Sequence, residues 1–133
     1  MNATRALREE FGSDYAFVLV YVVDPHPLAP DPSPYRGEPW EFQYSKFRQA
    51  RSHEERADDA NQVSVKDVFD EVLVDDLEPD NPAGNNPVWC TWGPAPNPGW
   101  LLSAKSGRVL LGQPWLNTTE MRSIMGAAQR FTR

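Results

Sequence analysis

Thirteen prolines in 133 residues, gathered between Pro25 and Pro39 and again between Pro79 and Pro98, set the tightest limit on what this chain can fold into. Proline fixes φ and removes a backbone donor, so neither cluster can supply a helix interior or a central strand. Both are expected to be ordered connections that divide the chain into short elements. The stretch from Pro87 to Gly112 holds the strongest local pattern, with Trp89, Trp92 and Trp100 around a Pro/Gly bend (Gly93, Pro94, Pro96, Pro98, Gly99). Trp100–Ser103 and Val109–Leu111 then flank Lys105-Ser106-Gly107, the pattern of a β-hairpin in which Gly107 supplies the positive φ. Trp89 and Trp100 are expected in the core, and Trp100 is its expected anchor. Trp92 and Trp115 are the candidates for a surface role.

Around this hairpin the chain reads as follows. Residues 2–11 predict a helix with Ala3, Ala6, Leu7 and Phe11 on one face, Asn2 as cap and Gly12 at its end. Tyr15–Val23 is a nearly unbroken apolar, β-branched run, expected to be a strand buried on both faces or centrally placed. Trp40, Phe42 and Tyr44 alternate with Glu41, Gln43 and Ser45, predicting a strand antiparallel to the first. Arg51–Asn61 is strongly polar and reads as an exposed connection. In Ser64–Leu77 the valines favour strand, whereas Val65, Val68, Phe69, Val72 and Leu73 fall at helical spacing; the helix is preferred. Val88–Trp92 reads as a short strand. Asn117 with Glu120 makes a box-like cap, Leu116 and Met121 a hydrophobic staple, and Met121, Ile124, Met125, Ala128 and Phe131 an apolar stripe, predicting a C-terminal helix. The expected fold is a single α+β domain over residues 1–133. It would have one antiparallel sheet of four to five strands, with N-terminal, middle and C-terminal helices packed on it.

Charge and composition narrow the function classes. The net charge of −6 argues against direct binding to nucleic acid or anionic lipid and favours a protein partner with a basic surface. Cys90 is the single cysteine, so no internal disulfide can form. No apolar run approaches the length of a membrane span, and Met1–Arg5 lacks the order of a signal peptide, so a soluble cytoplasmic chain is expected. Cys90 with His26 or His53 could in principle form a nucleophilic pair, but no local motif surrounds the cysteine, and a small buried apolar role is the plainer reading. No ligand spacing predicts a metal. The run Asp75, Asp76, Glu78, Asp80 lacks the glycine and terminal glutamate of a calcium loop, and no glycine-rich phosphate loop is present. No catalytic residue, metal or cofactor is therefore expected.

The expected function is a non-catalytic protein-binding module that works through an acidic face and exposed aromatic and proline loops. Its candidate contact residues are Trp92, Trp115, Asp75, Asp76, Glu78 and Asp80. One alternative is an acidic inhibitor that mimics nucleic acid charge to block a DNA- or RNA-handling enzyme. Another is a small-ligand binder or enzyme using Cys90. The segment Trp100–Leu111, with Ala104-Lys105-Ser106-Gly107-Arg108-Val109-Leu110, resembles the W-x-x-x-A-K-[ST]-G-x-V-L hairpin of PepSY-like domains. The helix ending near Phe11, the apolar strand and Trp40-x-Phe42-x-Tyr44 are similar to the same group, and the hairpin also resembles small bacterial immunity proteins. The resemblance implies a binding or inhibitory module without catalytic residues. The long proline loop, the acidic middle and the helix after Pro114 depart from the PepSY pattern.

Overall fold

Eight elements follow one another in the computed structural model, which describes residues 2–34, 46–63, 67–77, 86–92 and 97–132. They are α1 (Asn2–Phe11), β1 (Val18–Tyr21), α2 (His53–Gln62), β2 (Glu71–Val74), α3 (Pro87–Trp92), β3 (Gly99–Leu102), β4 (Val109–Gln113) and α4 (Thr118–Thr132). The chain is thus mixed α+β. Among the described residues the strands form two separate two-stranded sheets, β1-β2 and β3-β4, instead of one sheet of four to five strands.

The β1-β2 sheet corrects two expectations. The strand expected over Tyr15–Val23 shortens to four residues with β2 as its one neighbour among the described residues, and Val18 is 44% exposed. The helix preferred within Ser64–Leu77 gives way to strand β2, because Val72 and Val74 turn inward while Glu71 and Leu73 face out, a period of two. Hydrogen bonds close both ends of the pair, Asp70 N to Phe17 O (2.7 Å) and Asp75 N to Tyr21 O (2.8 Å). The partner numbers rise together, so β1 and β2 run parallel, a pairing that requires a long crossover. α2 lies within that crossover. It occupies the stretch expected to be an open connection: Ser52 caps it by accepting from Glu55 N (3.1 Å), and Glu54 and Glu55 sit favourably in its first turn. The expected strand over Trp40–Tyr44 lies outside the described residues.

The chain divides into two compact units. The first comprises residues 1–18, 65–71 and 93–133, and its core is apolar: Leu7, Phe11, Leu101, Met121 and Met125, with Tyr15, Phe17, Leu111, Leu116 and Ile124 packed against them. α1 and α4 supply the two helical faces as the sequence predicts, and Tyr15 donates from its hydroxyl to Met125 O (2.8 Å). Arg8 forks onto Asp70 (2.8 and 2.5 Å) and lies over the Phe17 ring, 5.6 Å from its centre.

The β3-β4 hairpin forms as expected, with Gly107 at φ 67° in the turn. Its inner face is carried by Leu101, paired with Leu111, whereas Trp100 is 40% exposed and lays its ring over Gly112, where a Cβ would collide with it. The core anchor is therefore Leu101 and not the expected Trp100, one residue away, because adjacent strand residues face opposite sides of the sheet. The staple holds: Leu116 and Met121 close around Gly99, where a Cβ would come within 2.7 Å of Leu116 Cδ1. The cap of α4 is more elaborate than a box. Asn117 Oδ1 accepts from Thr119 N and Glu120 N (both 3.1 Å), while Gln113, 4% exposed, replaces the back-reaching glutamate by accepting from Asn117 N (3.0 Å) and donating to Glu120 (2.7 Å).

The second unit, residues 19–64 and 72–92, is built differently. Its buried apolar residues Val23, Ala50, Ala60, Leu77 and Trp89 share the interior with Asp31, Ser33, Arg56, Asp75 and Asn86, all below 9% exposed. α3 replaces the strand expected over Val88–Trp92, since Pro87 stands at the first helical position, where its missing N–H costs nothing. Trp89 is buried, as expected.

Candidate functional site

Asp75 is the centre of the second unit. At 2% exposure its Oδ1 accepts from Asp76 N (2.9 Å) and Val88 N (3.0 Å), and its Oδ2 from Trp89 N (3.1 Å). It is thus the cap of α3, supplied from the end of β2, and it takes the two amides that Asn86 would ordinarily bind as the residue before the helix. The Asn86 side chain is buried with neither amide atom hydrogen-bonded among the described residues. Arg56, 1% exposed and on α2, donates from Nη1 to the carbonyls of Asp76 (2.8 Å) and Asp75 (3.3 Å), while its Nη2 has no partner among the described residues. Burial pulls the Arg56 guanidinium down from its ordinary range, and the charges of Asp75, Tyr21 and Asp76 push it back up. Around this centre the carboxylates crowd one another: burial raises Asp59, and Asp24, Glu55 and Asp58 raise it further. Tyr21 is raised well above the ordinary phenol range, first by burial and then by Asp24 and Asp59.

A second buried carboxylate, Asp31, is held the opposite way. Arg48 donates to both its oxygens (2.6 and 2.7 Å) and Gln49 N adds a third bond (3.0 Å), so the Arg48 hydrogen bond first of all holds its pKa below 3.8. Because the folded pKa is depressed, this stabilisation is complete above the unfolded value and is lost as pH falls through the lower folded one. Asp31→Asn should therefore cost about 2 kcal/mol at neutral pH. In denaturant melts the gap to wild type should shrink in acid, as wild-type Asp31 becomes protonated.

The structure sorts the sequence candidates. Asp75 lies inside, so its carboxylate is not part of an acidic face; Asp76 is exposed and accepts from Leu77 N (2.8 Å). Glu78 and Asp80 lie outside the described residues. Trp92, at the end of α3, is 38% exposed, and Trp115, between β4 and α4, is 63% exposed; they belong to different units. Cys90 is exposed on α3, not a buried apolar residue, because position 90 is on the outer side of a helix whose inner side is Trp89. Among the described residues no group of three or more His, Cys, Asp or Glu is placed to hold a metal, and no helix is long and apolar enough to cross a membrane.

Two features of this surface go beyond the acidic face expected from the sequence. The first is charge segregation: the first unit carries eight basic against seven acidic residues, net +1, and the second five against twelve, net −7, together the −6 of the chain. The second is the outer side of the hairpin, where Trp100, Leu102, Val109 and Leu110 are 40–49% exposed. Strict alternation in Trp100-Leu101-Leu102 would have flagged it, since only one side of a two-stranded sheet can face a core. No family model, curated protein or solved structure matches the chain.

Proposed function

We propose that the chain is a non-catalytic protein-binding module that offers exposed tryptophan rings and a carboxylate-rich unit to a partner protein with a basic surface. One observation carries this reading: three of the four described tryptophans, Trp92, Trp100 and Trp115, are exposed. Exposing so much aromatic surface is unfavourable for a chain that works alone, and tryptophan is the residue most enriched where binding energy concentrates. The excess of carboxylates in the second unit supplies the sign of the partner. The resemblance of the hairpin to PepSY-like and immunity-protein segments points the same way.

The test is capture from native host extract by immobilised wild type and by the Trp92→Ala/Trp115→Ala double variant, at low and moderate salt. One partner held by wild type and at least about tenfold more weakly by the double variant, with unchanged melting, is the expected result. No partner at either salt, or one held equally by both, would sink the proposal. The charge segregation favours a second reading, an inhibitor that mimics nucleic acid charge. In that case the captured protein is itself a nucleic-acid binder and elutes with duplex DNA at constant ionic strength.

A further inference from the structure

We infer that two copies of this chain associate face to face through the outer side of the β3-β4 hairpin, with the hairpins antiparallel about a two-fold axis. The proposal shares Trp100 with the partner reading above, whose test varies Trp92 and Trp115 and leaves the hairpin unchanged. Trp100 and Leu102 project outward from β3, opposite the inward Leu101, and across from them stand Gly112 and Val109. Pairing passes from Leu101↔Leu111 to Leu102↔Val109, so Leu110 is the extra residue of a bulge, and it too is exposed. The four side chains Trp100, Leu102, Val109 and Leu110 leave an apolar patch of about 300 Å², the lower end of what a monomer shows as its largest patch.

Three observations select a second copy as the occupant. Among the described residues β4 has β3 on one side and no strand on the other, and the bulge kinks that edge and discourages strand addition there, so the face is the apolar surface available to a second copy. The face bears no charged side chain between Gly99 and Leu102 or between Val109 and Gln113, so its best complement is another uncharged apolar face, and its own is identical. The cations Lys105 and Arg108 stand exposed at the turn end. An antiparallel two-fold arrangement keeps the two turn ends about 15 Å apart, whereas a parallel one would bring four cations together. Two such patches with their rims come to roughly 1,000 Å² of buried surface, the lower limit for a specific interface, so the dimer is a weak one with dissociation in the micromolar range or above.

Sedimentation velocity from about 5 to 500 µM, spanning that range, with Cys90→Ser to prevent a disulfide through the exposed thiol, tests the idea. The expected result is a concentration-dependent monomer–dimer equilibrium that Leu102→Glu or Leu110→Glu weakens at least about tenfold without changing the melt. Leu110→Cys in the same background should cross-link to itself under mild oxidation, giving a readout that does not depend on a tolerated charge. A monomer at every concentration that also fails to cross-link overturns the proposal, as does a dimer unaffected by both glutamate variants.

Discussion

Asp75→Ala should lower stability by about 3–5 kcal/mol, a large share of what holds a chain of this size folded. Three backbone amides, those of Asp76, Val88 and Trp89, lose their acceptor, and α3 loses its cap. The buried Arg56 simultaneously loses the largest of the charges that favour its ionised form. A buried cation that has lost its main counter-charge beside unsatisfied amides has no inexpensive relaxation, because water would have to enter the unit to solvate it. Urea melts followed by tryptophan fluorescence are suited to the measurement, since Trp89 sits on the helix that Asp75 caps. Asp75→Asn keeps one acceptor oxygen and should fall between alanine and wild type. An alanine variant within about 1 kcal/mol of wild type would show that α3 is held by packing alone.

Leu101→Ala should cost about 2–4 kcal/mol, whereas Trp100→Ala, one residue earlier and a far larger deletion, should cost less than about 2 kcal/mol. Leu101 is 7% exposed among Leu7, Phe11, Met121 and Met125, so its removal opens a cavity that four neighbours on two helices cannot all close. Trp100→Ala removes the cover over Gly112 and a side already in contact with water. Thermal melts of the two variants give the order directly, and a Trp100→Ala protein less stable than Leu101→Ala would place the core on the other face of the hairpin.

These two sites also mark how far local sequence reaches. Where a few adjacent residues settle the matter, the reading and the structure agree: α1 stops just before Gly12, Gly107 turns the hairpin, and Asn117, Leu116 and Met121 start α4. The two helices read otherwise carried signals of the same kind, Ser52 with Glu55 before α2 and Asn86-Pro87 before α3, which polarity and β-branching outweighed. At β2 the helical spacing of Val65, Val68, Phe69, Val72 and Leu73 competed with β propensity, and pairing with β1 decided for strand.

The candidate surface was partly legible. Trp92 and Trp115 are exposed as expected, while Asp75, chosen for its place in an acidic run, is buried. Adjacent carboxylates look alike in sequence; Asp75 and Asp76 part company because one points at the amides of a helix whose first residue is twelve positions further on.

By itself, then, the sequence determined the local devices: the mixed α+β class, the hairpin turn, the terminal helices, the cap of α4 and the acidic excess. Only the tertiary structure decided which side of the hairpin is core, that β1 and β2 pair in parallel with α2 in their crossover, and that Asp75 and Arg56 lie inside. The physical reason is range. Caps, turns and staples act within one helical turn or one hairpin, whereas burial and strand pairing depend on residues tens of positions away, whose approach no local pattern records.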